Sequence, residues 1–467
     1  MNGKRIVVVG GGSQFCVLLA ESLVDYGHDL LAGSTIVLLD VRQDHLDLVH
    51  KYSTDLANVF GVDLKFEKTT DRRKAFEGAD FVLTTFRPGT HDQQRQDETV
   101  PPQYGLQGNE TVSIGGIFMA CRVVPVLREM LADMEAVCPD AWIINYTNPT
   151  QHVGDATRRL SRVKIISLCD GYVEVPDDLA VLLGVDPSDV MVYTIGTNHA
   201  TWIKRLTIKG EDGYPMLEKR LKELGWDEIE KMYAPPKEFQ WIGIDVNYDT
   251  IYRQFVPHYR FPFSLKLFQT MGLLPQPRYY WRYYLDQDAI IEAQKTGEYV
   301  SMAGFYLDEA VHKMMAGLDN RFQGAVKRIK ELRSSQRAGG ASHGDLAVRV
   351  IASIANNLGE TFVVNVPNQG AISNLPEDCV VEVAAQVDRT GAHPFAMGPI
   401  PKHLLGFQHA LVLAQELAVD AALSGSRTDL LRAILAHPLI HSMEAAEKAM
   451  DELLGLQAEW LPQFRQG

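Results

Sequence analysis

The amino terminus of the chain carries a strand, a glycine turn and a helix in direct succession. Residues 5–9 form a continuous apolar run, which is typical of a parallel strand buried on both faces. Gly10, Gly11, Gly12 and Ser13 follow, and a helical stretch spans residues 15–26. A second apolar strand then ends in a carboxylate, Asp40. This βαβ pattern predicts a dinucleotide-binding unit of the Rossmann type.

Asp40 indicates which dinucleotide this unit would bind. A carboxylate at the end of the second strand accepts hydrogen bonds from the ribose hydroxyls of NAD and repels the extra phosphate of NADP. The motif departs from G-x-G-x-x-G, because Phe15 occupies the third glycine position, and an ordinary tight turn is the alternative interpretation. The residues predicted to bind NAD are Gly10, Gly12, Ser13, Gln14, Asp40 and Arg87.

The order of strand-like and helical segments predicts the fold class. Strands and helices alternate up to about residue 189, with a third strand expected at 79–85, and this alternation predicts an α/β fold with a doubly wound parallel sheet. Residues 202–208 read as antiparallel β-structure, helical periodicity dominates 218–332, and two further strands are expected at 361–366 and 380–385. We therefore predict an NAD-binding Rossmann domain at residues 1–195 and a mixed α+β substrate-binding and oligomerisation domain at 196–467.

Composition restricts the partners. The formal net charge is −14 and the cations are scattered, which argues against nucleic acid or an anionic membrane as a partner. No run approaches the roughly 18 apolar residues of a membrane helix, and the first strand begins where a signal peptide would lie, so a cytoplasmic location is expected. Five widely spaced cysteines indicate reduced thiols. The expected partner is a small molecule, and the aromatic-rich segment 274–284 indicates either a core or the seam of a dimer or tetramer.

Polar side chains follow three apolar, strand-like segments. Asn148, Cys169 with Asp170, and His199 stand at these positions. Thiolate and imidazole together bind soft or borderline divalent metals, so we predict Cys169 and His199 as metal ligands, with Asp170 as an acid beside the metal. Taken singly, such a cysteine is more often a small buried apolar residue.

A glycine-rich loop at residues 108–116 opens the next long helix. Glycines before a helix let backbone donors approach an anion or a polar ligand. Within this loop, Glu110 is predicted either to support the site as a carboxylate or to act in the N-terminal cap of the helix.

Several of these motifs, in this order along nearly the whole chain, resemble glycoside hydrolase family 4, an NAD-dependent exception among glycosidases. The NAD-dependent sulfoquinovosidase family is similar in its oxidative logic. The motifs are Gly10-Gly11-Gly12-Ser13, Asp40, Gly108-Asn109-Glu110-Thr111 with Gly115-Gly116, Asn145-Tyr146-Thr147-Asn148-Pro149, Cys169-Asp170, Asn198-His199 and Asn368-Gln369-Gly370-Ala371-Ile372.

The resemblance implies roles for individual residues. Cys169 and His199 would hold a divalent metal, Mn²⁺ by preference, and Asp170 resembles the acid of α-specific members. The catalytic tyrosine of the family precedes a tyrosine pair by three residues, which gives Tyr280, with Tyr279 as the alternative. The predicted substrate-binding residues are Asn148, Asn109, Glu110, Arg95 and Arg282.

The resemblance also implies a fold of the lactate/malate dehydrogenase-like superfamily and an unusual hydrolysis. The sugar would be oxidised at C3 by NAD, deprotonated at C2, cleaved by elimination, hydrated and reduced again. Many members act on 6-phosphosugars and bind the phosphate with a second arginine. In this sequence Gln94 occupies the position of that arginine, and Arg95 is one position away. A C6 sulfonate and a C6 phosphate are therefore both kept as alternatives for the substrate. A dehydrogenase of the lactate/malate type and a non-catalytic NAD or sugar sensor are the competing classes.

Overall fold

The computed structural model describes residues 3–173, 175–233, 238–241, 244–247, 261–277, 280–296, 317–335 and 343–465. Within them the strands are β1 (Arg5–Val9), β2 (Ser34–Leu39), β3 (Leu64–Thr69), β4 (Phe81–Thr84), β5 (Trp142–Asn145), β6 (Lys164–Ser167), β7 (Val190–Thr197), β8 (Ala200–Ile208), β9 (Glu211–Asp212), β10 (Glu238–Trp241), β11 (Ile244–Asn247), β12 (Leu274–Gln276), β13 (Glu360–Pro367), β14 (Val380–Asp388) and β15 (Gly391–Pro394).

The α-helices in the same part of the chain are α1 (Gln14–Ser22), α2 (His28–Leu30), α3 (Gln43–Phe60), α4 (Arg72–Phe76), α5 (His91–Gln103), α6 (Ser113–Val137), α7 (Thr150–Leu160), α8 (Val175–Leu183), α9 (Tyr214–Glu223), α10 (Trp226–Met232), α11 (Phe261–Met271), α12 (Tyr280–Leu285), α13 (Gln287–Thr296), α14 (Leu318–Ser335), α15 (His343–Asn356), α16 (Lys402–Ser424), α17 (Arg427–Ala436) and α18 (Met443–Leu456).

A nine-stranded sheet organises the molecule, in the order β15-β14-β13-β6-β5-β4-β1-β2-β3. Strands β1 to β6 are parallel and lie side by side in the Rossmann order 3-2-1-4-5-6. The predicted doubly wound sheet is therefore confirmed. Successive residues of β1 contribute to different cores, Val7 on one face and Val8 on the other, because helices cover both faces of a parallel sheet. The carboxyl ends of β1, β4, β5 and β6 therefore bring four connecting segments to one edge.

The strand expected at residues 79–85 is present as β4 (Phe81–Thr84), but it is the fourth strand of the chain and not the third, because β3 (Leu64–Thr69) was not predicted. β3 lies at the edge of the sheet and reads Leu-Lys-Phe-Glu-Lys-Thr. On one face Lys65 is exposed and Glu67 is half-buried, while Phe66 between them is buried on the other face. An edge strand exposed on one face has no continuous apolar run, and an apolar run was the signal used to find the others.

A smaller antiparallel sheet stands beside the large one, in the order β12-β8-β7, with β9 paired to β8. The expected antiparallel structure at residues 202–208 is confirmed. Between 218 and 332 the expected helices are interrupted by the β10–β11 hairpin and by β12. Strands β13, β14 and β15 add to the parallel sheet in antiparallel fashion, although they follow the smaller sheet in the chain. The division of the chain at residue 195 stays a prediction.

The aromatic side chains of α12 pack inward. Tyr280, Trp281, Tyr283 and Tyr284 are all buried, and the Trp281 ring lies 4.2 Å from that of Trp202 on β8. These contacts support the core interpretation of the segment, whereas the oligomeric state stays a prediction. Within the described ranges, no helix combines the length and apolar character that crossing a membrane requires.

Candidate active site

The two predicted metal ligands meet beyond the carboxyl edge of the large sheet. Cys169 follows β6, and His199 lies in the two-residue turn between β7 and β8. The Sγ atom of Cys169 lies 3.5 Å from Nε2 of His199. The pair therefore comes from two different sheets rather than from neighbouring strand ends. His199 has a φ of +62°, a left-handed conformation that is uncommon for a side chain of this kind and is often found at functional sites.

The donor set fits a divalent metal. With a metal–sulfur length of about 2.3 Å and a metal–nitrogen length of about 2.1 Å, two ligands of one ion lie roughly 3.5 Å apart, which is the separation found here. A thiolate and an imidazole suit a borderline metal. Among the described residues, no group of three or more Cys, His, Asp or Glu side chains forms a fuller ligand set.

Burial favours the neutral form of both members of this pair. It raises the pKa of the Cys169 thiol well above its usual value, with Glu382 and Asp170 adding to the rise. It lowers the pKa of His199 to about 3, against a smaller opposite effect of Asp170. A thiol buried beside carboxylates ionises readily only when a cation is present, so the electrostatics of the pair agree with metal binding.

Glu382 is a part of the site that the sequence analysis missed. It lies on β14, is 3% exposed, and its Oε1 accepts hydrogen bonds from Nδ2 of Asn198 at 2.8 Å and of Asn365 at 3.0 Å. Burial raises its pKa to about 7, above the opposing effect of these two bonds. The signal in the sequence was a single carboxylate inside an apolar strand, but only the tertiary structure places that strand beside the His199 turn.

Tyr280 lies directly against the thiol–imidazole pair. Its ring stacks on the His199 imidazole with centroids 3.8 Å apart and an interplanar angle of 12°, and its hydroxyl lies 2.9 Å from Oγ1 of Thr111. Pro277, which lies just before Tyr280 in the chain, packs closely against Gly171. A Cβ at position 171 would lie 2.8 Å from the proline ring, so this close packing requires glycine. The alternative base, Tyr279, lies outside the described residues. The structure thus brings Tyr280 to the predicted metal ligands.

The glycine-rich loop before α6 supplies two more polar side chains, Glu110 and Asn109. Glu110 forms an ion pair with Arg87 at 2.5 Å and does not cap α6, whose N-cap residue is Val112. The side-chain oxygen of Asn109 accepts from the backbone amides of Thr111 and Val112, at 2.8 and 3.1 Å, which fixes the shape of the loop. The substrate-binding roles given to Asn109 and Glu110 stay predictions.

The turn after β1 has the features of a dinucleotide cradle. The amide of Gly12 donates to Oδ2 of Asp40 at 2.9 Å. Gly10 has a φ of +92°, and a Cβ there would lie 2.5 Å from the carbonyl oxygen of Thr85. Ser13 is the N-cap residue of α1 without a side-chain capping bond, and the buried Oε1 of Gln14 has no partner. These residues fit NAD for two reasons. The turn is tight enough for the backbone to approach the pyrophosphate of a dinucleotide closely, and the side chains of Ser13 and Gln14 offer polar atoms to a ligand.

Asn148 joins β5 to α7, where its Oδ1 accepts from the hydroxyl of Thr150 at 3.0 Å. A small cavity of about 20 Å³ lies next to His199, between the amino ends of α6 and α7. Its described lining includes Thr111, Asn198 and two histidines, His152 and His437, and burial lowers the pKa of these two to about 4 and about 3.

The remaining predicted residues lie apart from the pair or are engaged in ion pairs. Arg95 is on the exposed face of α5, paired with Asp92 at 3.2 Å. Gln94, on the opposite face of that helix, is fully buried. Arg282 pairs with Asp286, which directly follows the end of its helix. Among the described residues, the contacts of Arg95 do not include Cys169 or His199. Successive positions of a helix point in different directions, so Arg95 faces solvent although its neighbour Gln94 is buried.

The chain matches known proteins along most of its length. Residues 5–185 match the model described as Family 4 glycosyl hydrolase, and residues 194–440 match that of the Family 4 glycosyl hydrolase C-terminal domain. The 6-phospho-beta-glucosidase of Escherichia coli (strain K12) is 31% identical over 465 residues, covering 98% of this chain and 96% of that protein.

Solved structures agree with the fold. The 6-phospho-beta glucosidase of Thermotoga maritima, solved with manganese, NAD⁺ and glucose-6-phosphate, is 25% identical with a TM-score of 0.76, over 98% of this chain and 99% of that one. Lactate dehydrogenase from Eimeria maxima has a TM-score of 0.51 at 15% identity, over 91% of this chain and 99% of that one. This second likeness concerns the fold alone, and it agrees with the predicted lactate/malate dehydrogenase-like fold.

Proposed function

The chain belongs to the family 4 glycosyl hydrolases, and on that premise we propose that it hydrolyses glycosides carrying an anionic C6 group, using NAD and Mn²⁺. Its class is therefore an O-glycosyl hydrolase with an oxidoreductive mechanism. The observation that carries the proposal is the contact of Cys169 and His199 at 3.5 Å with Tyr280 stacked on the imidazole.

The residues divide the chemistry among them. NAD, when bound, supplies reversible oxidation at C3, and the divalent metal supplies Lewis-acid stabilisation of the negative charge that develops after C2 deprotonation. Cys169 and His199 hold the metal, and Tyr280 takes the C2 proton. Asp170 gives a proton to the departing glycosidic oxygen. Asn148 orients the sugar, and Asp40 holds the ribose of the dinucleotide.

One assay separates this proposal from its competitors. The protein is incubated with a nitrophenyl glycoside bearing an anionic C6 group, NAD⁺ and Mn²⁺, and both nitrophenol and NADH are followed. Release of nitrophenol without net NADH supports the proposal, since the hydride is returned in each turnover. Net NADH accumulation supports a dehydrogenase, and the absence of both products supports a sensor.

Tyr280 has its own test within the proposal. In deuterated water, the wild-type protein should incorporate deuterium at C2 of the sugar, and Tyr280→Phe should slow this exchange by roughly 10²–10⁴-fold, the usual contribution of general base catalysis. Exchange at the wild-type rate in Tyr280→Phe, with loss in Tyr279→Phe, would transfer the role to the neighbouring tyrosine.

The identity of the C6 group is a finer proposal. The name of the Escherichia coli relative favours a phosphate for the family. The charge balance here favours a monoanion such as a sulfonate, because Arg87 and Arg282 are each paired with a carboxylate and Arg95 lies on the exposed face of its helix. A dianion needs more positive charge than a monoanion to offset its desolvation.

A matched panel tests the C6 group and the anomer together. Nitrophenyl α- and β-glucosides with a 6-phosphate, a 6-sulfonate or a 6-hydroxyl are compared by kcat/KM. The proposal expects the α-anomer of the 6-sulfonate to react fastest, with Asp170 as its acid. Gln94→Arg should then shift the preference towards the phosphate, and Gln94→Met is the uncharged control. A wild-type preference for the 6-phosphate would overturn the sulfonate assignment alone.

A further inference from the structure

We propose that Thr111 is a positioning residue that fixes the tautomer of His199 and so leaves Nε2 free to bind the metal. The inference rests on the metal-binding role of His199 proposed above. Thr111 is buried, with 6% of its surface exposed. Its Oγ1 lies 3.0 Å from Oδ1 of Asn109, 3.2 Å from Nδ1 of His199 and 2.9 Å from the hydroxyl of Tyr280.

Asn109 determines the direction of these three hydrogen bonds. Its Oδ1 accepts from the backbone amides of Thr111 and Val112, at 2.8 and 3.1 Å, so this atom is the oxygen of the side-chain amide and not the nitrogen. An amide oxygen only accepts, whereas a threonine hydroxyl has one proton to donate. The contact at 3.0 Å is therefore a bond in which Thr111 donates to Asn109.

Once its proton is used, the Thr111 oxygen can only accept from its other two neighbours. His199 must then donate through Nδ1–H, and Tyr280 must donate through its hydroxyl. A histidine that binds a metal does so as the neutral imidazole, which carries one proton. With the proton on Nδ1, the lone pair is on Nε2, and Nε2 is the atom that faces Sγ of Cys169. A metal-binding histidine is commonly oriented by such a bond to its other nitrogen.

The same hydroxyl connects three separate parts of the site. Thr111 belongs to the loop before α6, His199 to the turn between β7 and β8, and Tyr280 to the first position of α12. Loss of the hydroxyl leaves Nδ1 of His199 without the acceptor it uses here. The Nε2–H tautomer, which cannot bind a metal through Nε2, is then no longer disfavoured. Metal affinity should fall without any change in the two ligands themselves.

The direct measurement is the tautomer in the metal-free, full-length protein. Nitrogen-15 NMR of histidine-labelled protein distinguishes Nδ1–H from Nε2–H, and the His199 signals are assigned by their loss in His199→Asn. The proposal expects the Nδ1–H form in the wild type. An Nε2–H form in the wild type would overturn it, and this measurement needs no variant at Thr111 to fold.

The matched variants are Thr111→Val, which replaces the hydroxyl by a methyl group, and Thr111→Ser, which keeps it. Thr111→Val should populate both tautomers and weaken Mn²⁺ binding, measured by calorimetry, by roughly 10–100-fold, the usual effect of losing such a partner. Thr111→Ser should restore both readouts to near the wild-type values. Wild-type Mn²⁺ affinity and a single Nδ1–H tautomer in Thr111→Val would overturn the proposal. If His199→Asn left Mn²⁺ affinity unchanged, the metal role itself would fail, while the tautomer result would stand on its own.

Discussion

Two buried polar clusters of this protein are built in opposite ways. In the core ion pair, formed by Asp97 and Arg122, the guanidinium donates to both carboxylate oxygens and to the side chain of Gln457. Both charged side chains are at most 1% exposed. Burial raises the pKa of Asp97 as well, but Arg122 opposes that effect. In the thiol–imidazole pair, Cys169 and His199, burial favours the uncharged form of each group, and at Cys169 the neighbouring carboxylates of Glu382 and Asp170 add to the effect. The first cluster has both of its charges within the chain, whereas the second has ligand atoms that suit a cation from outside.

The difference indicates that the two clusters have different roles, one in stability and one in metal binding. A buried ion pair with both partners present stabilises one arrangement of α5 and α6, and removing one partner leaves a costly unpaired charge. A thiol and an imidazole without a cation contribute little electrostatic stability, but they bind a metal without having to break an existing ion pair. The core ion pair should therefore govern unfolding, and the thiol–imidazole pair should govern metal binding and turnover.

Replacing a predicted metal ligand should give the largest effect on turnover. Cys169→Ser removes the thiolate, and we expect Mn²⁺-dependent release of the aglycone to fall by a factor on the order of 10³, or about 4 kcal/mol of transition-state stabilisation. NAD affinity, measured by fluorescence titration, should stay within about twofold of the wild type, because the cradle around Asp40 is not changed. Wild-type turnover without added metal would contradict the metal role of Cys169.

Breaking the core ion pair should have the converse effect. Arg122→Met leaves Asp97 buried without its partner and should lower the free energy of unfolding by about 3–5 kcal/mol, measured by urea denaturation. Mn²⁺ affinity of the folded protein should not change. The matched control is Arg122→Met combined with Asp97→Leu, which removes both charges and should recover most of the loss. A single variant as stable as the wild type would show that the pair is not a stabilising element.

Glu382 should make the stability of the metal-free protein depend on pH. Burial raises its pKa to about 7, whereas an unfolded glutamate has a pKa near 4.5. Between these values the folded state binds a proton that the unfolded state has lost, so stability falls as pH rises from about 5 to 8, by on the order of 3 kcal/mol. Glu382→Gln should remove this dependence while keeping an acceptor for Asn198 and Asn365. Parallel stability curves for the two proteins over this range would contradict a buried, protonated Glu382.

The sequence predicted the parallel sheet well because buried parallel strands have a strong local signature. Residues 5–9 and 142–145 are apolar at nearly every position, and Cys169 was selected as a polar residue that follows such a strand. His199 follows an apolar strand too, but that strand belongs to the smaller antiparallel sheet. Strand β3 was missed because its charged positions face solvent at the edge of the sheet. A continuous apolar run thus identifies a strand that is buried on both faces, but it does not identify a strand that is buried on one face only.

The parts of the site that sequence reasoning missed depend on contacts between distant segments. Glu382 meets Asn198 across 184 positions of the chain, and Thr111 meets Tyr280 across 169. A lone glutamate in an apolar strand and a threonine in a glycine-rich loop have several possible roles. Only their partners in the folded chain distinguish among these roles. The direction of the Thr111 bonds, in particular, follows from three neighbours on three different segments.

The pH dependence of metal affinity should give the smallest effect and the finest test of the comparison. The metal needs the thiolate of Cys169, whose pKa lies well above the usual thiol value, so each ion displaces one proton and its affinity rises about tenfold per pH unit from about pH 5 to 8. His199, with a pKa of about 3, is already unprotonated there and adds no second proton.

This proton count is measured by calorimetric Mn²⁺ titrations in buffers of different ionisation enthalpy. Above about pH 7, ionisation of Glu382 would add to the attraction for the cation, so the titration is repeated in Glu382→Gln, and Asp170→Asn controls for the other carboxylate near the thiol. In Cys169→Ser the slope should fall to near zero. A release of two protons per ion that persists in Glu382→Gln would mean that His199 is charged before binding. The thiol–imidazole pair would then differ from the core ion pair in its protonation and not in lacking a charge.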